Sequence, residues 1–182
     1  LELSADLRER QAATLASAVP HLLPRVRWLD ALPAQFSGLV LGNELLDAMP
    51  VHIVGWREDG IRERGVVTDG DGFAWAERPA TGALLVAAAE IGSQCRLPPG
   101  YESEIGLAAR AWCAEWGRRL AAGAVLLVDY GFPRREFYHQ QRARGTLMCH
   151  YRHQAHPDPF YLPGLQDITA HVDFTAVIAA AD

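Results

Sequence analysis

The sequence predicts an α/β fold in which a parallel sheet is interrupted by an inserted antiparallel β segment. First, an amphipathic helix pattern after Ser4 is followed by β-prone runs at 26–29 and 36–41, a succession typical of parallel α/β sheets. Second, a further apolar run at 124–128 has the composition of a buried parallel strand. Third, residues 51–80 alternate short β-prone runs with Asp-Gly turn signals, which indicates an antiparallel meander.

The first elements follow from local chemistry. Residues 1–3 are apolar or tolerate β structure and are expected to form a strand. The hydroxyl of Ser4 can then cap a helix, because it accepts a hydrogen bond from a free amide of the first turn. Apolar residues recur at helical spacing until Pro20, where the helix should end. Residues 36–41 are mostly apolar, so this strand is expected to be buried on both faces.

The clearest helix pattern covers residues 103–122, with Ile105, Ala109, Trp112 and Trp116 at steps of three and four. Gly123 stands where a helix commonly ends with a left-handed residue. An alanine-rich helix pattern closes the sequence. We expect residues 1–182 to be the central part of one domain, since the chain begins within a strand and finishes within a helix.

Composition limits the classes of partner. The net charge is −5, so no global positive field is available to hold a nucleic acid, and nucleic acid is not expected as a partner. No apolar run approaches the roughly 20 residues of a membrane span. The three cysteines form no C-x-x-C pair, which favours a reducing compartment, the cytosol or an organelle matrix.

Acidic residues lie at the ends of four predicted strands. They are Glu2, Asp30, Glu44 and Asp129. Because ligands of open α/β sheets bind beyond the carboxyl ends of the strands, these oxygens could hold the ribose hydroxyls and the amino group of an adenosine cofactor. The other interpretation is that each acid merely caps a helix.

The segment that follows residue 41 offers an acidic pair. Glu44 and Asp47 are three positions apart, so one helical turn would place both carboxylates on one face. Two acids facing one cleft could clamp a guanidinium through charge-assisted hydrogen bonds. In the alternative, Asn43 caps a short helix and Asp47 is only solvated.

Histidines suggest a competing metal site. His150, His153 and His156 are spaced by three residues, and His171 and Asp173 follow later. Positions i and i+6 do not share a helical face and no H-E-x-x-H is present, so no metal is expected. A structural histidine with satisfied hydrogen bonds, or one that helps to orient a substrate, is the preferred interpretation.

Five segments form a recognisable series along the chain: LELSADLR at 1–8, GNELLDAMPV at 42–51, LVDYG at 127–131, RGTL at 144–147 and PGLQDITAHVDF at 163–174, with His153 and His156 between the last two. Together they resemble the MidA family, whose mitochondrial members are protein arginine methyltransferases of complex I assembly. The resemblance implies a Rossmann-like class I methyltransferase fold that uses S-adenosylmethionine.

The resemblance also implies roles for individual residues. Glu2, Asp30 and Asn43 would contact the cofactor. Glu44 and Asp47 would hold an arginine of a protein substrate, an interpretation that agrees with their spacing. The histidines of the matched segments, His153 and His171, would help to bind that substrate.

The chain departs from the family pattern at both ends. The family's glycine-rich loop would precede residue 1 and its last strands would follow residue 182. That loop lets the backbone approach the cofactor closely, so these 182 residues alone are expected to bind it poorly. Isothermal titration with S-adenosylhomocysteine, comparing this stretch with a longer protein, tests the expectation.

Other functions remain open at this point. One is a non-catalytic assembly or scaffolding factor on the same fold, and a second is a metal-dependent hydrolase built on the histidines. DNA base methylation is disfavoured, because the loop after residue 42 lacks a Pro-Pro-aromatic sequence to stack a flipped base. A homodimer is also a possibility.

Overall fold

The structure is a computed structural model that describes residue 2 and residues 4–181. In chain order its elements are α1 (Ala5–Ala18), β1 (Phe36–Asn43), β2 (His52–Arg57), β3 (Gly60–Asp69), β4 (Gly72–Pro79), α2 (Gly82–Cys95), β5 (Tyr101–Ile105), α3 (Leu107–Arg119), β6 (Leu120–Val128), β7 (Gly131–Phe132), α4 (Arg134–Phe137), β8 (Met148–Tyr151), β9 (Gln154–His156), β10 (Asp167–Thr169), β11 (Val172–Asp173) and α5 (Phe174–Ala181). Short 3₁₀ turns lie at Leu23–Arg25 and Gln140–Arg142.

The start of the chain agrees only in part with the prediction. The Ser4 hydroxyl accepts a hydrogen bond from the amide of Leu7, so α1 is capped as expected. The strand predicted at 1–3 includes Leu1 and Leu3, which lie outside the described residues. The strand predicted at 26–29 is wrong, because this segment is not hydrogen-bonded to any strand of the described ranges. It runs beside α1 instead, where the indole of Trp28 donates to Gln11.

The predicted parallel strands do pair. β1 and β6 form a parallel sheet in which Asn43 lies opposite Val128. One face packs on α3, through the edge contact between Phe36 and Trp116. The prediction that residues 36–41 are buried on both faces is wrong: Leu41 is 68% exposed, since the described residues cover only one face of this sheet.

The predicted meander is confirmed and gains a fourth strand. An antiparallel sheet has the order β4–β3–β2–β5, with tight turns at Asp59–Gly60 and between Asp69 and Gly72. α2 packs against it and encloses a core that includes Val54, Trp56, Ile91 and Tyr101. Apolar side chains on this face drive the packing, because burying each of them contributes about 1.5–3 kcal/mol.

The long helix predicted at 103–122 is divided. Residues up to Ile105 belong to β5, because they pair with β2, and the helix runs only from Leu107 to Arg119. Gly123 does not end the helix but lies inside β6, at φ +128°, where a Cβ would meet the carbonyl oxygen of Gly38 at 1.8 Å. Close approach of the two parallel strands therefore requires glycine at this position.

The last third of the chain adds two small sheets and the final helix. β11 pairs in parallel with β7, and β10, β8 and β9 form a small antiparallel sheet. α5 packs on α3 over a second core that contains Leu46, Cys113 and Val172.

Within residue 2 and residues 4–181, none of the helices combines the length and apolar character required to cross a bilayer.

Candidate active site

The candidate site lies where β1 and β6 end side by side. The two strands remain in register to Asn43 and Val128, and the amide of Glu44 donates to the carbonyl of Val128 at 2.8 Å. The next residues of the two strands, Glu44 and Asp129, therefore emerge at one edge of the sheet. This edge is where open parallel sheets place their ligands.

Asp129 fixes the loop that follows β1. Its Oδ2 accepts hydrogen bonds from the amides of Leu46 at 2.8 Å and Asp47 at 3.4 Å, and its Oδ1 accepts from the amide of Tyr130 at 2.9 Å. Amides that have no strand or helix partner are thereby satisfied by one carboxylate. The loop after β1 is held to the loop after β6.

Asp47 is a buried carboxylate, only 4% exposed. Its Oδ2 accepts a hydrogen bond from the hydroxyl of Tyr130, and its backbone carbonyl accepts from the amide of Ala170 at 3.0 Å. Its Oδ1 is also buried, yet it has no hydrogen-bond partner among the described residues. A buried acceptor without a donor is costly, so this oxygen is a candidate to bind a ligand.

Glu44 and Asp47 do not share a helical turn, so that prediction is wrong. Glu44 adopts a left-handed conformation with φ 48° and is exposed, whereas Asp47 points inward and is buried. The bonds to Val128 and Asp129 impose a turn on this loop, and they outweigh the helical preference of the sequence. Asn43 is exposed at the end of β1, beside Glu44.

Tyr130 links the two acids electrostatically. Its hydrogen bond to Asp47 raises its pKa above the usual value of 10.0, and partial burial and the negative charge of Glu44 act in the same direction. The phenol is consequently protonated near neutral pH and available as a donor.

The two predicted substrate-binding histidines occupy different places. The ring of His171 stacks on Phe132, with centroids 5.4 Å apart, and meets the edge of Tyr130 at 5.3 Å. Its Nδ1 is buried and unpartnered among the described residues. His153 lies at the exposed turn between β8 and β9, with φ 66°. His171 therefore contacts Tyr130, which in turn is hydrogen-bonded to Asp47, whereas His153 lies at a separate turn.

A groove of about 440 Å³ leads past Asp47 between the inserted sheet and the segment before β11. Its lining residues include Asp47, His52, Glu63, Trp75, Leu147 and Thr169. Glu63 lies 2.7 Å from Nδ1 of His52, an interaction that lowers the pKa of its carboxyl. The inserted sheet thus forms one wall of a groove that carries both acidic and basic side chains, since Arg64 also lines it.

The two acids predicted to bind adenosine, Glu2 and Asp30, both lie near Arg8. Its guanidinium donates to the backbone carbonyl of Glu2 and lies 2.7 Å from Oδ1 of Asp30. The Glu2 carboxylate accepts from the amide of Ser4 at 2.9 Å, and Asp30 is largely exposed. Both acids are therefore held at the same end of α1.

In residue 2 and residues 4–181, no group of three or more His, Cys, Asp or Glu side chains is arranged to hold a metal ion. His150 is exposed on β8, and His156 on β9 meets the edge of Tyr161. The hypothesis of a metal-dependent hydrolase is therefore not supported by any set of metal ligands in this part of the chain.

Sequence reasoning missed part of this site. The sequence predicts Asp129 only as one of four acids at strand ends, not as the residue that holds the loop after β1, and it predicts no role for Tyr130, Phe132 or Thr169. The available signal was the polar Asp-Tyr-Gly sequence directly after an apolar strand. The contacts themselves join positions 83 residues apart, which no local pattern encodes.

Comparison with known proteins identifies the family. A family model described as "Putative S-adenosyl-L-methionine-dependent methyltransferase" matches residues 1–182. The chain is 32% identical over 156 residues to the protein arginine methyltransferase NDUFAF7 of Danio rerio, a match that covers 81% of the chain and 33% of that protein. Its identity to the Mus musculus protein of the same name is 29% over 202 residues, covering 96% and 42%.

Two solved structures from Burkholderia thailandensis agree with the fold. One protein is bound to S-adenosyl-homocysteine and superposes with a TM-score of 0.89 at 51% identity, covering 98% of this chain and 46% of its own. A native crystal structure gives 0.90 at 51% identity, covering 99% and 48%. The chain thus spans less than half the length of these relatives and structures. It belongs to the family of S-adenosyl-L-methionine-dependent methyltransferases, as its resemblance to MidA proteins indicated.

Proposed function

We propose that this chain carries the acceptor site of a methyltransferase that modifies an arginine side chain of a protein. A single observation carries the proposal: Asp47 is buried at the joined ends of β1 and β6, and one of its oxygens has no partner. A guanidinium presents several N–H donors in a planar fork, so it can supply the missing hydrogen bond and the compensating charge.

The surroundings of Asp47 suit a cationic side chain. Glu44 contributes a second carboxylate near Tyr130, and the carboxylates of Asp47 and Glu44 would attract a positively charged acceptor. The wall of the groove is mixed in charge, because Glu63 is paired with His52 and Arg78, and Arg64 also lines it. The inserted sheet, with Trp75 in its wall, would contact the residues that flank the target arginine.

The cofactor would be held by Glu2, Asp30 and Asn43. Glu2 and Asp30 offer carboxylate oxygens at one end of α1, a set of acceptors that fits ribose hydroxyls and an adenine amino group. Asn43, at the end of β1, would contact the cofactor beside Glu44. The sulfonium of S-adenosylmethionine supplies the activated methyl group, and the residues of this chain supply binding and alignment.

Asp47 and Glu44 would orient the guanidinium and stabilise its charge. Because arginine remains protonated at any accessible pH, its proton leaves during or after methyl transfer rather than before. A carboxylate that hydrogen-bonds the attacking nitrogen is placed to receive that proton. The Tyr130 hydroxyl, which donates to Oδ2, keeps Asp47 in one orientation during this exchange.

The names of the relatives support arginine as the acceptor. Both the Danio rerio and the Mus musculus proteins are named as mitochondrial protein arginine methyltransferases. By the same resemblance, a respiratory complex I subunit is the proposed substrate, and the site of action is the mitochondrial matrix or, in a bacterium, the cytoplasm.

Methyl transfer to protein arginine can be measured directly. The full-length protein is incubated with methyl-tritiated S-adenosylmethionine and a lysate of cells that lack it, and the labelled proteins are hydrolysed. We expect label in methylarginine, and its loss in Asp47→Asn but not in the control Asp71→Asn, an exposed turn residue. Label in another amino acid would refute arginine as the acceptor, and cofactor binding without transfer would favour the scaffolding alternative.

Glu44 is expected to act on turnover more than on cofactor binding. Glu44→Gln removes the charge that helps to hold the guanidinium but keeps the shape of the loop. The transfer rate should fall at least about tenfold, while affinity for S-adenosylhomocysteine changes less than about twofold. Equal losses in rate and affinity would assign Glu44 to the cofactor instead; Glu58→Gln, on an exposed turn, is the control.

A further inference from the structure

Glu104 is a buried carboxylate outside the contacts described so far. It lies in β5 and is 3% exposed. The amide of Thr146 donates to both of its oxygens, at 2.9 and 3.0 Å, the amide of Leu147 donates at 2.9 Å, and the hydroxyls of Thr146 and Ser103 lie at 3.2 and 3.4 Å. Because every partner can donate, the group serves entirely as an acceptor, and most donors belong to one loop.

The sequence of that loop is adapted to this carboxylate. Gly145 has φ +75°, and a Cβ at this position would lie 2.2 Å from Oε1 of Glu104. Any larger residue would displace the carboxylate from the amides of Thr146 and Leu147. The Gly-Thr-Leu sequence at 145–147 is thus explained as the partner of a glutamate 41 to 43 residues earlier.

Thr146 extends this interaction to the candidate site. Its Oγ1 donates to Glu104 and also accepts a hydrogen bond from the amide of His171 at 3.0 Å. The amide of the preceding residue, Ala170, donates to the carbonyl of Asp47, and the ring of His171 contacts Tyr130. A continuous path of contacts therefore leads from a buried glutamate in the inserted sheet to the Asp47–Tyr130 pair.

The burial of Glu104 indicates that this position requires a carboxylate for its hydrogen bonds. Removing a carboxylate from water costs several kcal/mol unless hydrogen bonds compensate, and an apolar residue would fill the same position in β5 more cheaply. The carboxylate does what an apolar side chain could not: it binds the amides of the loop that carries Thr146. The contacts are short and specific, so they fix both the position of that loop and the direction of the Thr146 hydroxyl.

We propose that Glu104 is a positioning residue for the acceptor site, acting through the Thr146 hydroxyl on the backbone of residues 170–171. The inference rests on the proposed function for its catalytic consequence. Its structural part, the ordering of residues 168–173 by Glu104 and Thr146, stands independently.

The experiment compares Thr146→Val with Thr146→Ser in the full-length protein. Valine has nearly the shape of threonine but cannot accept the bond from His171 or donate to Glu104, whereas serine retains both functions. Glu104→Gln is a third variant, because its amide nitrogen cannot accept from the loop. Ser103→Ala is the matched control: it removes a donor to the same carboxylate that lies off the path to His171.

Two readouts separate positioning from stability. Hydrogen–deuterium exchange at residues 168–173 should rise about tenfold or more in Thr146→Val and Glu104→Gln, and remain at the wild-type level in Thr146→Ser and Ser103→Ala. The rate of tritiated methyl transfer should fall at least about fivefold in Thr146→Val and Glu104→Gln, while their affinity for S-adenosylhomocysteine stays within about twofold of the wild type. Thr146→Ser should retain the wild-type rate.

Specific outcomes overturn the inference. Unchanged exchange at residues 168–173 in Thr146→Val would show that the path does not order the site. Equal rate losses in the valine and serine variants, or a parallel loss of cofactor affinity, would reduce Glu104 to a general stabilising residue. A wild-type protein that transfers no methyl would refute the proposed function, and the exchange data alone would then decide whether Glu104 orders this segment.

Discussion

The hydroxyl of Tyr130 donates a hydrogen bond to Oδ2 of Asp47, a residue 83 positions earlier in the chain. This contact joins the loop after β1 to the loop after β6, and it places a phenol against a buried carboxylate. Asp129 reinforces the connection by accepting the amides of Leu46 and Asp47. The arrangement of the candidate site therefore depends on the pairing of two strands rather than on any local segment.

Loss of the Tyr130 hydroxyl should impair transfer without unfolding the protein. Tyr130→Phe leaves Oδ2 of Asp47 buried with one donor fewer, a penalty of about 1–3 kcal/mol that corresponds to roughly 5- to 150-fold. We expect the rate of methyl transfer to fall within that range and the affinity for S-adenosylhomocysteine to change little. Tyr161→Phe, at a half-exposed position, should be neutral; a Tyr130→Phe variant with the wild-type rate would contradict the role of the pair.

Removal of the Asp129 carboxylate should destabilise the fold. Asp129→Ala leaves the amides of Leu46, Asp47 and Tyr130 without their acceptor, and we expect the free energy of unfolding to fall by about 2–4 kcal/mol in urea denaturation. Asp129→Asn keeps one acceptor oxygen and should lose less. If the two variants were equally stable, the hydrogen bonds to Asp129 would contribute little.

The space around Gly145 can be tested separately from its backbone conformation. Gly145→Ala combines a left-handed φ with a clash against Glu104, while Gly164→Ala has a similar φ of +82° and nothing within 4 Å of the added Cβ. The control should therefore lose about 1–2 kcal/mol of stability, and Gly145→Ala clearly more. Similar losses in thermal or urea unfolding would mean that the carboxylate moves aside at little cost.

The Glu63 carboxyl should make stability depend on acid pH. Its pKa lies below the usual 4.5, chiefly because of the hydrogen bond with His52, and Arg78 adds to this effect. A lowered folded-state pKa stabilises the protein above the ordinary value, and the contribution is lost as the pH falls through the lowered one. The free energy of unfolding of the wild type should exceed that of Glu63→Gln by up to about 1 kcal/mol near neutral pH.

That difference should shrink as the pH falls below about 4.5 and disappear below the lowered folded-state pKa, where the glutamate is protonated in both states. Urea denaturation of the two proteins between about pH 6 and pH 3 measures it. A difference that remained constant over this range would show that Glu63 acts through packing and not through its charge.

The sequence by itself determined the class of fold and the family. Apolar runs at 36–41 and 124–128 predicted the parallel pair, and the Asp-Gly turns predicted the meander, because both patterns lie in consecutive residues. The same local evidence failed at 103–105, where pairing with β2 overrides a helical pattern, and at 26–29, where an extended segment has no strand partner in the described ranges.

Only the tertiary structure decided how the acids differ. Glu44 and Asp47 are equivalent in a sequence pattern, yet one is exposed in a left-handed turn and the other is buried against Tyr130. Likewise, only the fold brings Glu104 to Thr146 and separates His171 from His153. The physical reason is that spacing encodes which residues share a helix or strand, whereas burial and hydrogen-bond partners arise when distant strands pair and their loops compete for the same donors.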